Sequence, residues 1–266
     1  MKNIKQLVKE YKDLGIELEY DYDKFSSYAL THHSTAIEGS ELSETDTQVL
    51  LDYGLTPKGL PITHSLMVLD HQKAVEYIRS LPKKTIFSNE IIQKIESIVV
   101  KSTGKVYHTP LGECDTTKGD YRLGGVRRGF SGESYMNYQK VVPEMNKLIQ
   151  HINTELSKKN DVMKDLELSF YAHYKIAEIH PFFDGNGRTA RLLMNAIQVQ
   201  RNLPLSIVFK QDKADYINVL REIQVEETKN IQDFYDFMFA SYERQLKQEI
   251  NNFLDQEQKP KKGLKK

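Results

Sequence analysis

A proline at position 181 cuts a long helical stretch in two, and the residues around the cut leave this chain few ways to fold. The helix ELSFYAHYKIAEI must stop at His180, because the residue before a proline is pushed out of the α region. The next seven residues, PFFDGNG, end in two glycines flanking Asn186. Such a pattern lets successive backbone N–H groups point into one concavity. A new helix, RTARLLMNAIQVQ, opens at that spot, and its unpaired N–H groups and positive dipole end face the same concavity. Residues 180–191 therefore read as an anion cradle with a histidine beside it.

The rest of the chain is mostly helical punctuation. Phe25, Ala29, His33 and Ile37 recur every four residues before Gly39, which predicts a helix over 21–38 closed by a glycine in the left-handed region. Ser43 with Asp46 three positions on marks the next helix start, and Gly54 its end. Further helices are predicted over 64–80, 89–101, 138–157, 165–180, 187–202, 211–224 and 230–254. One stretch breaks the pattern: 115–135 is dense in Gly and Arg, and Gly124-Gly125 between YRL and VRR carries a hairpin signal. On composition alone a surface loop competes with the hairpin there. The fold class expected is all-α, a helical bundle with a short β-hairpin, forming a single domain over 1–258 with a disordered basic tail, 259–266.

Composition bounds the partners. Lys plus Arg and Asp plus Glu are 37 each, and the isoelectric point is near 7.1, so summed charge gives no reason to expect nucleic acid or an anionic membrane. Anion binding must be local. The single Cys114 cannot form an internal disulfide, and the N-terminus is charged throughout, with no apolar signal core. The expected location is the cytoplasm.

Charge placement near the cradle goes beyond what helix stability explains. Arg188 and Arg191 share a face in the first turn of their helix, where cations are disfavoured by roughly 0.3–1 kcal/mol each. A di- or triphosphate would outweigh that cost. Asp184 would repel such a ligand unless a cation lay between them, and Mg²⁺ binds through one carboxylate plus phosphate oxygens. His180, with an ordinary pKa near 6.5, suits proton removal from an attacking hydroxyl.

The run HPFFDGNGRTAR matches, at every specified position, the signature of the Fic (filamentation induced by cAMP) family, His-x-Phe-x-(Asp/Glu)-Gly-Asn-Gly-Arg-x-x-Arg. LLMN at 192–195, the YRLGGVRR segment and IEGSELS near the N-terminus extend the resemblance over about 200 residues, Ser34 to Ala240. It implies the Fic fold, with a catalytic core near 90–242 and the hairpin as a flap over the site. It also implies a protein adenylyltransferase, transferring AMP from ATP to a Tyr, Thr or Ser hydroxyl of a target protein, this chain itself included. His180 would be the general base, and Asp184 would hold Mg²⁺ or Mn²⁺. Gly185, Asn186 and Gly187 would form the nest, Arg188 and Arg191 would bind the β- and γ-phosphates, and Phe182 would anchor the loop. Leu123, Val126 and Arg127 of the flap would align the target chain by strand-like pairing. Relatives that transfer other groups alter the signature, for example by Lys at the first Arg; Arg188 is retained here, which favours nucleotidyl transfer.

Two features are less standard. Where many relatives carry Tyr-Tyr by the adenine, this chain has Asp215-Tyr216-Ile217, so Asn195, Tyr216 and Leu220 stand as base-pocket candidates and ATP is implied by the family alone. STAIEG, 34–39, fits the family's inhibitory motif (Ser/Thr)-x-x-x-Glu-(Gly/Asn), with Ser34 and Glu38 at the specified positions. The resemblance pairs Glu38 with Arg191, giving an autoinhibited enzyme. The same site could remove AMP from a modified target, or hold nucleotide as a silent scaffold; self-association stays open.

Overall fold

The computed structural model describes residues 3–128, 132–225 and 230–257. Ten helices are present among them: α1 (Ile4–Asp13), α2 (Tyr20–Ile37), α3 (Glu44–Tyr53), α4 (Ile62–Ser80), α5 (Asn89–Val99), α6 (Val141–Leu156), α7 (Val162–Ile179), α8 (Asn186–Gln200), α9 (Lys213–Val225) and α10 (Ile231–Glu257). Strands β1 (Val106–Thr109) and β2 (Gly112–Asp115) form one antiparallel pair. The all-α expectation with a small hairpin stands. No helix among the described residues is long and apolar enough to cross a membrane.

α7 and α8 form the centre. α8 is buried around its whole circumference from Arg188 to Gln198, as a helix covered on every side must be. Leu192, Leu193, Ala196 and Ile197 face a cluster shared with Ile92, Ile95 and Val99 of α5 and Ile176 and Ile179 of α7. Met194 faces a second cluster with Phe170 of α7, Tyr216 of α9 and Phe234 and Tyr242 of α10. Packing from both sides fixes the α7–α8 junction, and the Pro181 loop between them is held in place.

Local signals account for several boundaries. Ser43 and Asp46 form a reciprocal capping box on α3, and Gly54 ends it at φ +70°. α1, its face Ile4, Leu7, Val8 and Tyr11 buried against α10, was not expected from the sequence; its charged residues mask an amphipathic period.

The hairpin expectation needs correction. The β1–β2 strands precede the predicted segment, turning at Pro110 and Leu111 with Gly112 at φ +129°. Gly124-Gly125 is no hairpin turn, because neither residue adopts the positive φ that such a turn requires. A Cβ on Gly124 would lie 3.4 Å from the Phe183 ring, so close approach is its use. Strand-like pairing occurs further on: the Arg128 N–H donates to Glu133 O at 3.1 Å and the Tyr135 N–H to Val126 O at 3.0 Å, around a bridge of Arg127 with Ser134. We call 126–135 the flap; its residues 129–131, like the tail 259–266, lie outside the described residues.

Candidate active site

His180 ends α7 in the left-handed conformation, φ +50° and ψ +61°, a costly state for a non-glycine residue that tertiary contacts must impose. Those contacts come from Arg122, which is 1 % exposed. Its guanidinium donates to the carbonyls of His180 (2.7 Å), Gly124 (2.8 Å), Ile179 (3.4 Å) and Met136. Its own backbone N–H donates to Pro181 O at 2.9 Å. One buried cation thus ties both roots of the flap to the C-terminal carbonyls of α7, where the helix dipole favours positive charge. Burial, with Arg122 and Arg128 nearby, pushes the His180 pKa down to about 3; Glu38 and a hydrogen bond to the Ala177 main chain pull the other way. The free imidazole is neutral.

The loop after His180 is stapled from within. The Asn186 carboxamide accepts from the Phe182 N–H and donates to Phe182 O, both at 2.9 Å, and Phe182 is fully buried. The Asn186 side chain is committed to loop shape, leaving its main chain as the anion-facing group. Gly185 sits at φ +73°, and a Cβ there would lie 2.5 Å from both carboxylate oxygens of Glu96 on α5. Only glycine fits.

Glu96 is fully buried under this turn, accepting from Thr189 Oγ1 at 2.5 Å on one oxygen and, among the described residues, from nothing on the other. Burial pushes its pKa up to about 8, against the smaller opposing pull of Thr189 and Arg188. In the unfolded chain it would titrate near 4.3, so the folded state holds one extra proton between the two values. That contribution is complete below about pH 4 and is lost as pH rises towards 8, on the order of 5 kcal/mol over the window. Thermal melts from pH 5 to 9 should show this loss in the native protein and not in Glu96→Gln.

A cavity of about 400 Å³ opens above the loop, a size that ligand sites commonly have. Of the sequence-predicted residues, it brings together Glu38, His180, Asn186, Gly187, Arg191, Tyr216 and Leu220. Arg191 is 2 % exposed, and its Nη2 donates to Glu38 Oε1 at 2.6 Å and to Ser34 O at 3.0 Å. Nε donates to Ser34 Oγ at 2.9 Å and Nη1 to the Tyr216 hydroxyl at 3.4 Å. Withdrawal from water pushes the Glu38 carboxyl up, but Arg191 outweighs this and holds it below the usual range. A Cβ on Gly187 would lie 2.4 Å from Glu38 Oε1. The carboxylate rests against the anion nest.

Other predicted residues lie off the cavity wall. Arg188 is buried, donating to Val99 O at 3.2 Å and reaching Asp184 Oδ1 at 3.5 Å, so its guanidinium points into the packing against α5. Asn195 corrects the base-pocket expectation: its amide donates to Ser206 O at 3.0 Å and Gln198 Oε1 at 3.1 Å in the buried centre, away from the cavity. Val126 and Arg127 belong to the flap and Leu123 precedes it, and none of the three lines the cavity; Arg128 and Tyr135 do, as do Ile217, Arg221 and Gln224 of α9. Arg122, Glu96 and Tyr135 carry no local sequence signal, because their partners are main-chain carbonyls, a distant hydroxyl and a ring.

Asp184 is about half exposed, and both of its contacts, from the Gly185 N–H at 2.6 Å and from Arg188, fall on one oxygen. A hard carboxylate oxygen at the rim of an anion nest is the donor type Mg²⁺ takes. The residues present fit such an ion.

The Fic/DOC family model matches residues 86–198. The chain is similar to a protein adenylyltransferase Fic of Nematostella vectensis, 32 % identical over 196 residues, covering 72 % of this chain and 42 % of that one. A protein adenylyltransferase Fic of Aedes aegypti is 30 % identical over 219 residues, covering 81 % and 40 %. The chain thus spans less than half the length of these relatives. Among solved structures, a Fic domain containing signaling protein from Bacteroides thetaiotaomicron superposes with a TM-score of 0.79 at 25 % identity, covering 96 % of this chain and 97 % of that one. With the signature loop and the helical fold agreeing, the chain belongs to the Fic/DOC family.

Proposed function

We propose that this chain is a protein adenylyltransferase, moving AMP from ATP to a hydroxyl side chain of a protein, and that Glu38 keeps it inhibited. The observation that carries the reading is the meeting of a neutral imidazole with an anion nest and a buried arginine in one cavity. The acceptor oxygen attacks the α-phosphorus, the bond from that phosphorus to the α–β bridging oxygen breaks, and pyrophosphate leaves. His180 takes the hydroxyl proton. The ring nitrogen bonded to the Ala177 main chain is oriented by it, and the other carries the lone pair. A bound polyphosphate would raise the imidazole's basicity by its own charge.

The main-chain N–H groups at Asn186 and Gly187 would hold phosphate oxygens at the start of α8. Arg191, released from Glu38, would reach the terminal phosphates bidentately. Arg188 would act from behind the loop, fixing Asp184, whose carboxylate would hold Mg²⁺. That ion supplies charge neutralisation to the polyphosphate when bound. Tyr216 and Leu220 would face the base.

The test separates adenylyl from phosphoryl transfer. Glu38→Gly protein incubated with a magnesium salt should acquire label from ATP labelled at the α-phosphorus and none from ATP labelled at the γ-phosphorus. Label from the γ-position would overturn the assignment.

A further inference from the structure

Tyr135 has no part in the scheme above, yet it touches the base. Its ring lies flat on the His180 imidazole, with centroids 3.7 Å apart and planes 13° from parallel. Two anchors hold it there. Its N–H donates to Val126 O across the flap, and Arg128 lies over the ring with Cζ 4.7 Å from the centroid, a cation–π contact. Arg128 in turn donates to Gln224 Oε1 on α9, on the far side of the cavity. The stack covers one face of the imidazole, and both rings form part of the cavity wall.

This arrangement answers a chemical problem. An imidazole that can take a proton from a protein hydroxyl can equally take one from water wherever water reaches it. Water attack on the α-phosphorus would break the same bond, yielding AMP and pyrophosphate, with the proton on His180 and no modified protein. Closed active sites suppress such side reactions by removing water from the reacting groups.

The geometry points to Tyr135 as a positioning residue that covers His180, fixing the imidazole plane and keeping water off the base, so that ATP reacts with a docked hydroxyl in preference to being hydrolysed. The inference rests on the adenylyl-transfer reading of the site. Since cover needs the ring and not its hydroxyl, Phe should replace Tyr135 and Ala should not.

In Glu38→Gly protein with ATP, a magnesium salt and no added target, Tyr135→Ala should form AMP and pyrophosphate at least tenfold faster than the parent, and Tyr135→Phe at the parent's rate. An independent readout is the His180 imidazole followed by NMR with Glu38 in place: it should titrate near 3 in native protein and in Tyr135→Phe, and shift towards its ordinary 6.5 in Tyr135→Ala. An Ala variant that forms AMP no faster than the parent, or a Phe variant that matches Ala, overturns the proposal. If the parent moves no adenylyl group at all, the adenylyl-transfer reading is what falls. The imidazole titration then still decides whether Tyr135 covers His180, since an unchanged value in the Ala variant refutes it.

Discussion

Glu38→Gly is expected to raise AMP transfer roughly 10- to 100-fold, because the substitution removes the ion pair that holds Arg191 away from the phosphate side of the cavity. A hydrogen bond between charged groups contributes about 1.5–3 kcal/mol, and each 1.4 kcal/mol of lost restraint is about a factor of ten in the population of free Arg191. Ser34 and Tyr216 remain as neutral partners, so the guanidinium is not stranded. A second effect has the same sign. The Glu38 carboxylate rests against Gly187, where it would repel an incoming phosphate, and glycine vacates that place. The backbone tolerates the change, since Glu38 caps α2 with φ −84° and ψ 2°, and Gly39 already makes the turn. Glu38→Gln serves as the control: it keeps the size but loses the charge, and should fall between native and Gly. Labelling with ATP carrying a tracer at the α-phosphorus measures all three; a Gly variant no faster than native protein would remove Glu38 from any inhibitory role.

How much of this was readable in the sequence depends on the range of each interaction. The 180–191 loop was legible because its determinants are local: Pro181 stops α7, Gly185 permits the turn, and α8 starts at once. The same holds for the Ser43–Asp46 box. The pairing of Glu38 with Arg191 spans 153 positions, and no local rule connects them; only the family resemblance did. Arg122 was invisible for a different reason. It binds four main-chain carbonyls, and carbonyls carry no residue identity for a pattern to match. Gly124-Gly125 misled because glycine serves two ends, positive φ and close approach, and here Phe183 requires the second. Arg188 shows the limit of charge arguments: its place against the helix dipole is visible in the sequence, yet the guanidinium turns inward to Val99 and Asp184.

His180→Ala is expected to lower AMP transfer by about 10²- to 10⁴-fold, the usual contribution of a positioned general base, with ATP affinity nearly unchanged. The separation follows from which groups do what. The cavity's phosphate-facing elements are the nest at Gly187 and Arg191, neither of which depends on the imidazole. The loop itself is held through main chain, by Arg122 on His180 O, by the His180 N–H on Ile176 O at 2.9 Å, and by the Asn186–Phe182 staple. These survive truncation of the side chain. One complication is backbone strain, since alanine in the left-handed region costs on the order of 1–2 kcal/mol. His180→Asn addresses it, because asparagine visits that region readily but offers no base. If the imidazole acts by taking the proton, both variants lose transfer alike and bind ATP like native protein. If Asn restores the rate, the residue matters for its backbone and the proton goes elsewhere. The pH profile adds a check. With the free imidazole neutral down to about pH 3, the acid limb of kcat/KM should show no inflection between about pH 6 and 8, where an exposed histidine would place one.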